Sequence, residues 1–349
     1  MNDRIKDTIR GCLIGGAAGD ALGYAVEFDR LRAIRKEYGK PGITEYDINF
    51  VTGTAVISDD TQMTLFTADG IMTAMAAGLT APANRKMYKY VHNAYLDWYK
   101  TQGFDPVTKP VKNLPESDLI NIPELHVKRA PGNTCLSALA SPKSRDLYKP
   151  INSSKGCGGI MRVAPVGLLY PHASLEEIIE MGSEISAITH GHPLGCFPSG
   201  IFAAIVQQAA YAEEGTPLIT MVENAVEAAR SLYGESDYWE TLETIVRNAI
   251  DFAGNDKSDD INLKKLGEGW VAEETLAVSL YCALRYEHDF SAGIIAAVNH
   301  DGDSDSTGAV AGNILGALHG YDALDNKWKE KLQLRDLILQ TADTIGDQI

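Results

Sequence analysis

Apolar residues along this chain recur at intervals of three and four. Leu175, Ile178, Ile179, Gly182 and Ile185 form one series; Ile201, Ala204, Ile205 and Ala209 a second; Leu276, Leu280 and Leu284 a third; Ile314, Leu315 and Leu318 a fourth. Such spacing lays a stripe along one face of an α-helix, whereas in a strand it would scatter over both faces. Period-two alternation is scarce, its best stretch running from Thr44 to Val56. An all-α fold is therefore expected. At 349 residues, 45% of them hydrophobic, the chain can bury a substantial core. Neither a solenoid-spaced repeat nor a long Gly/Ser linker divides it, so residues 1–349 are expected to form one domain. The stretch from Thr101 to Pro150, with seven prolines and few periodic apolar positions, reads as a loop inside that domain.

Small residues crowd one putative helix, Gly11-Cys12-Leu13-Ile14-Gly15-Gly16-Ala17-Ala18-Gly19-Asp20-Ala21-Leu22-Gly23. Each glycine costs a helix roughly 1 kcal/mol relative to alanine. That expense implies close packing of backbones or approach to a ligand, and packing is the reading preferred.

Charge and cysteine usage exclude several classes of function. With 47 Asp+Glu against 31 Lys+Arg, a formal charge of -16 opposes non-specific binding to nucleic acid or to anionic membranes. The longest stretch without Asp, Glu, Lys or Arg, Ile185 to Ala212, contains two His, two Pro and two Gln and makes a poor membrane span. Five scattered cysteines include no Cys-x-x-Cys pair, so neither a disulfide framework nor a zinc knuckle is suggested. Charges at Asp3, Arg4, Lys6 and Asp7 stand where a secretory signal would have its apolar centre. A cytoplasmic, monomeric protein is expected.

Two acidic clusters carry the chemistry. Around residue 300 the chain reads Asn299-His300-Asp301-Gly302-Asp303-Ser304-Asp305-Ser306-Thr307-Gly308, just before the apolar-periodic segment that contains Ile314. A calcium loop of the EF-hand type would need Gly at the sixth position from Asp301 and Glu at the twelfth, where Ser306 and Gly312 stand. The second cluster, Ser58-Asp59-Asp60-Thr61, opens another such segment. Ser and Asp are good helix caps, and carboxylates favour the positive end of a helix. Capping accounts for one or two acidic groups, but each further one adds repulsion. Four or five carboxylates with two hydroxyls are hard oxygen ligands that suit Mg²⁺ or Mn²⁺ better than zinc. If the two helix starts converge, they cradle one or two divalent ions.

The pair Ser58-Asp59-Asp60-Thr61 and Gly302-Asp303-Ser304-Asp305-Ser306 resembles the two metal-binding signatures of the ADP-ribosylglycohydrolase family. Further stretches agree in order: Gly19-Asp20-Ala21-Leu22-Gly23 followed by Glu27; Gly156-Cys157-Gly158-Gly159-Ile160-Met161-Arg162-Val163-Ala164-Pro165; Ile188-Thr189-His190; and Gly269-Trp270-Val271-Ala272-Glu273-Glu274. The similarity spans about residues 6 to 320. It implies an all-α orthogonal bundle with a binuclear Mg²⁺ (or Mn²⁺) centre where helices converge, hydrolysing the bond between ADP-ribose and a modified acceptor, protein arginine being favoured. By the same resemblance Ser58, Asp59, Asp60, Asp303, Asp305 and Ser306 would ligate metal, and Glu27 with Asp60 would be catalytic. Asn152, Ser153, Ser154, Lys155, Gly156, Cys157 and Gly158 would contact the diphosphate and distal ribose, joined by Asp59 and by His190 near the phosphates. Two departures stand out. Ser58 and Ser306 replace a common Thr but keep the hydroxyl, whereas Cys157 replaces the Asn of a Gly-Asn-Gly-Gly loop and loses an amide.

The chemistry is consistent with those residues. Breaking a ribose C1 bond passes through an oxocarbenium-like centre and needs a carboxylate to protonate the leaving group or activate water; Glu27 is the expected acid/base. Arg162 is expected to pair with phosphate or with a buried carboxylate, and Trp98 and Trp270 to be core. Cys157, with no base beside it in sequence, is not expected to be a nucleophile. The rival readings are a non-catalytic, crystallin-like ADP-ribose binder and a phosphoesterase acting on the pyrophosphate.

Overall fold

The computed structural model describes residues 2–82, 86–106, 109–142 and 147–349. Sixteen α-helices are described and, among the described residues, no β-strand. In chain order they are α1 (Asn2–Tyr24), α2 (Leu31–Tyr38), α3 (Asp59–Ala76), α4 (Met87–Thr101), α5 (Asn133–Leu139), α6 (Ala164–Leu169), α7 (Leu175–Ser186) and α8 (Pro193–Tyr211). There follow α9 (Leu218–Tyr233), α10 (Trp239–Ala253), α11 (Asp259–Leu266), α12 (Ala272–Arg285), α13 (Phe290–Val298), α14 (Ser304–His319), α15 (Asn326–Lys329) and α16 (Arg335–Gln348). The four apolar series fall on α7, α8, α12 and α14. Helix α7 begins with a capping box, the Ser174 hydroxyl accepting from the Glu177 amide at 3.2 Å while Glu177 accepts from the Ser174 amide at 2.9 Å. No described helix is long and apolar enough to cross a membrane.

The segment with the best strand pattern, Thr44 to Val56, turns back on itself instead of entering a sheet. Isolated bridges join Ile48 to Ala55 and Ala55 to Leu332, and Asn49 side-chain and backbone oxygens collect the amides of Val51, Thr52 and Gly53. With no adjoining strand to continue either bridge, a β-ladder cannot propagate. The proline-rich stretch from Thr101 to Pro150 is mostly irregular, interrupted by 3₁₀ turns at Asp118–Asn121 and Pro123–Leu125 and by α5; its residues 107–108 and 143–146 lie outside the described ones.

Packing around the site is set by α1 and α14, which run antiparallel with their backbones nearly touching. A Cβ built on Gly11, Gly15 or Gly19 would lie 2.3, 2.4 or 1.9 Å from the carbonyl oxygens of Gly316, Gly312 and Gly308; on Gly23 it would lie 2.2 Å from that of Ser304. The reverse holds for Gly308, Gly312 and Gly316 against Gly19, Gly15 and Gly11. Spacing by four on both helices keeps these positions on one face, so the glycines of the N-terminal segment are the packing seam that their density implies. Helix α14 also contacts α12, α13, α8 and α3, and α3 packs on α4.

The seam gives a direct expectation. Gly19→Ala should destabilise the protein by about 1–3 kcal/mol or more, because the helices must separate to admit a methyl group. Gly254→Ala, at an ordinary helical φ of -88° with open space around it, should shift stability by less than about 1 kcal/mol. Thermal unfolding followed by circular dichroism distinguishes the two.

Candidate active site

Both acidic helix starts meet the last third of α1. The Ser58 hydroxyl caps α3, accepting from the Asp60 amide at 3.1 Å. Asp303 caps α14, with the Ser306 amide 3.4 Å from its Oδ1 and 2.9 Å from Asp305 Oδ1. Asp20, fully buried on α1, accepts from the Ser58 amide at 2.9 and 3.1 Å, from the Thr61 amide at 3.1 Å and from the Thr61 hydroxyl. Beyond Gly23 the chain turns so that Glu27, Asp303 and Asp305 each offer a carboxylate oxygen within 4.8 Å of the others. The loop before α14 is held by the Asp303 amide donating to Glu268 O at 2.8 Å. That approach demands glycine at 302, where φ is +139° and a Cβ would lie 1.9 Å from the same oxygen.

A cleft of about 470 Å³ opens over this point. It is lined by Glu27, Asp59, Asp60, Asp303, Asp305 and Ser306, by Gly156, Cys157, Gly158 and His190, by Ala130 to Cys135, and by Phe28 and Trp270. Burial first, and then the charges of Asp303, Asp59 and Asp20, push the Glu27 carboxyl up to about 9. Burial likewise holds Asp59, Asp60 and Asp305 well above the usual carboxylate range, reinforced for Asp59 by Asp20, for Asp60 by Asp20 and Asp59, and for Asp305 by Asp60 and Asp303. Asp20, whose burial is offset by its hydrogen bonds, rises to about 6.

Among the described residues no lysine or arginine lines the cleft, and two carboxylate oxygens, Glu27 Oε2 and Asp60 Oδ2, are buried without a hydrogen-bond partner. Unpaired hard oxygens converging on a buried point fit a divalent cation of the Mg²⁺ or Mn²⁺ kind.

Of the residues singled out in the sequence, Glu27, Asp59, Asp60, Asp303, Asp305, Ser306, Gly156, Cys157, Gly158 and His190 line one cleft. Ser58 is fully buried beneath it as a cap. Asn152, Ser153, Ser154 and Lys155 do not line it. Asn152 instead donates to Thr189 O at 2.8 Å and accepts from the amides of Ser154 and Gly191 at 3.0 and 2.9 Å, Ser154 meets Thr134 at 3.1 Å, and Lys155 pairs with Glu273. These contacts shape the wall from behind. Asp301 turns away and caps α2, accepting from the Leu31 amide at 2.7 Å.

Trp98 is core, its Nε1 donating to Gln62 at 3.0 Å. Trp270 is not: it is 39% exposed and stacks on Phe28 with centroids 6.1 Å apart and planes 17° from parallel. A large aromatic side chain suits a cleft rim as well as a core, one face packed and the other open. Arg162 pairs with no carboxylate among the described residues. It is fully buried, 4.3 Å over the Tyr95 ring, and donates to Thr189 Oγ1 at 2.6 Å. Asp20 and Phe28 are the contributors that sequence reasoning missed. A charged residue in the middle of an otherwise small and apolar helix was the available signal for Asp20; Phe28 carried none.

The fold is an all-helical frame in which a buried cluster of carboxylates lines one cleft. The sequence model of the ADP-ribosylglycohydrolase family matches residues 1–349, and the chain belongs to that family. It is a hydrolase of glycosyl bonds. Mouse ADP-ribosylhydrolase ARH3 is 22% identical over 368 residues, covering 93% of this chain and 87% of that protein. ADP-ribosylarginine hydrolase Tri1 of Pseudomonas putida is 23% identical over 354 residues, 99% of this chain and 80% of Tri1. Among solved structures, an ADP-ribosylglycohydrolase-related protein complex shares the fold with a TM-score of 0.64 at 21% identity, covering 99% of both chains.

The raised acids set the pH response of the cation-free protein. Glu27 keeps its proton when folded up to about pH 9 and loses it when unfolded above about pH 4.5. The folded state then binds more protons across that window, and stability falls as pH rises through it. Melting temperature without added metal should therefore decline from pH 5 to pH 9. Glu27→Gln should flatten the decline, and millimolar Mg²⁺ or Mn²⁺ should restore stability at pH 8; unchanged melting on adding either ion would argue against a cation site.

Proposed function

We propose that the protein hydrolyses the glycosidic bond between ADP-ribose and a modified arginine side chain of an acceptor protein, reversing mono-ADP-ribosylation. The observation that carries this reading is that Glu27, Asp59, Asp60, Asp303 and Asp305 line one cleft together with Gly156, Gly158 and His190. The name of the relative Tri1 supports the arginine linkage.

Asp59, Asp60, Asp303, Asp305 and the Ser306 hydroxyl would hold up to two Mg²⁺ or Mn²⁺ ions, with Glu27 within reach of the Asp303 and Asp305 carboxylates. Bound there, a divalent ion supplies fixed positive charge and Lewis acidity next to the sugar hydroxyls. The remaining work belongs to the protein. Glu27, buried in the cleft beside the Asp303 and Asp305 carboxylates, is placed to donate a proton to the departing nitrogen as the ribose C1–N bond breaks. Water adds to C1 in its place, and its proton passes to the Glu27 carboxylate that the first transfer leaves behind. Proton and bond counts balance: ADP-ribose leaves with the hydroxyl and the guanidine with a hydrogen. Phe28 and Trp270 cover the Glu27 side of the mouth and help exclude bulk water.

Incubation with Mg²⁺ and a panel of arginine-, serine- and nucleobase-linked ADP-ribose tests the reading by product. Free ADP-ribose from the arginine substrate is expected, with Glu27→Gln and Asp303→Ala each slowing turnover at least about 100-fold. AMP with ribose phosphate would indicate a phosphoesterase instead. Release from the serine or nucleobase substrate alone would reassign the acceptor, and ADP-ribose binding without any product would make the protein a binder.

A further inference from the structure

Arg162 is a fully buried guanidinium with no carboxylate partner among the described residues. It sits over Tyr95, and its Nη2 donates to Thr189 Oγ1 at 2.6 Å. The same hydroxyl lies 2.9 Å from Nδ1 of His190, a residue that is 2% exposed and lines the cleft. We propose that Arg162, acting through Thr189, is a positioning residue that locks His190 in the tautomer with its proton on Nε2, making the ring a fixed hydrogen-bond donor into the cleft.

The assignment follows from counting donors. A guanidinium has no acceptor, so Thr189 Oγ1 must accept from Arg162. The hydroxyl has one hydrogen of its own, and His190 Nδ1 is the nitrogen placed to receive it. Nδ1 thus presents its lone pair, and the neutral ring carries its hydrogen on Nε2. In the opposite tautomer, Nδ1–H and Arg162 would both donate to Oγ1, leaving the hydroxyl hydrogen to the Cys135 sulfur, a weak acceptor already 3.4 Å from Arg162 Nη1.

The ring stands in a slot that glycine leaves open. A Cβ on Gly156 would lie 3.2 Å from Nε2, and one on Gly158 would lie 3.0 Å from Cε1. Nε2 makes no hydrogen bond to the described residues. Burial, and then the charge of Arg162, push His190 down to about 3, so the ring is neutral throughout the useful pH range. Reversing the ring would set a C–H against Thr189 and strand a buried hydroxyl at a cost comparable to a lost hydrogen bond. A neutral Nε2–H faces a ligand that must accept. On the reading proposed above, which supplies the ligand but not the tautomer, that acceptor is an oxygen of the ADP-ribose diphosphate.

The test uses the full-length protein labelled with ¹⁵N-histidine, with the His190 ring signals assigned by their loss in His190→Asn. Two-bond ¹⁵N–¹H correlation spectra should show Nε2 protonated and Nδ1 bare, unchanged between pH 5 and pH 9. Thr189→Val should mix or reverse that pattern and weaken ADP-ribose binding about tenfold by calorimetry, while Thr189→Ser should restore both. Protonated Nδ1 in the wild-type protein overturns the proposal, as does a Thr189→Val spectrum identical to wild type. Wild-type affinity in Thr189→Val overturns the positioning role. Should Thr189→Val fail to fold, the wild-type spectrum and Thr189→Ser decide. A wild-type protein that does not bind ADP-ribose counts against the proposed function, and the tautomer is still read from the ligand-free spectrum.

Discussion

The backbone contact between α1 and α14 is the constraint on which the site depends. Glycine at every fourth position of α1, and glycine or serine opposite, removes the side chains that would hold two helices 8–10 Å apart. At that closeness the end of α1 is registered against the start of α14, where the Gly23 Cα faces the carbonyl of Ser304. Glu27 lies four residues beyond one side of the seam's end, and Asp303 one residue before the other. The same helix holds α3 through Asp20, whose carboxylate takes two amides and a hydroxyl from the first turn of that helix. One helix therefore aligns three sources of carboxylate, Glu27, the start of α3 and the start of α14, that are separate in sequence.

Such an arrangement stores electrostatic cost. Packing Glu27, Asp59, Asp60 and Asp305 out of water, each within the field of the others, raises their proton affinity and leaves two oxygens unpartnered. A structural role would be met more cheaply by asparagine or serine at the same caps, since these satisfy helix amides without repulsion. The excess of charge beyond capping need is what distinguishes the site from two ordinary helix starts. It is countered by large apolar packing elsewhere, with α3, α7, α8, α12 and α14 buried along most of their length.

How much of this the sequence discloses depends on the range of the physics involved. Helix periodicity and capping are local, so α7, α12, α14 and the caps Ser58 and Asp303 are legible directly. The seam is half legible: glycine density implies close packing, but nothing local says that Gly19 meets Gly308. Asp301, Asp303 and Asp305 alternate identically, yet Asp301 caps α2 because the loop turns at Gly302, where a positive φ redirects the chain. Asn152 to Lys155 stand beside the glycine turn in sequence but support it from behind, through Thr189, Gly191, Thr134 and Glu273. Trp270 shows the same limit, since apolar character alone cannot separate a core side chain from one at a rim.

Cys157 joins the glycine turn to the acidic cluster, its thiol lying beside Asp303 and Ser306. At this turn the chain has a thiol that burial, and then Asp303, hold well above its ordinary range. It stays protonated, and a thiol is a weak donor. Its backbone amide is already spent on Trp270 O at 3.2 Å, which ties the glycine turn to the segment carrying the rim aromatic. On that wall, His190 Nε2 then becomes the strongest side-chain donor, and its orientation rests on Thr189 and Arg162. The carboxylates are organised by helix starts along α1, the His190 donor by a buried cation acting through a hydroxyl and a ring. A ligand that carries both hydroxyls and acceptor oxygens meets matching chemistry in the one cleft they line.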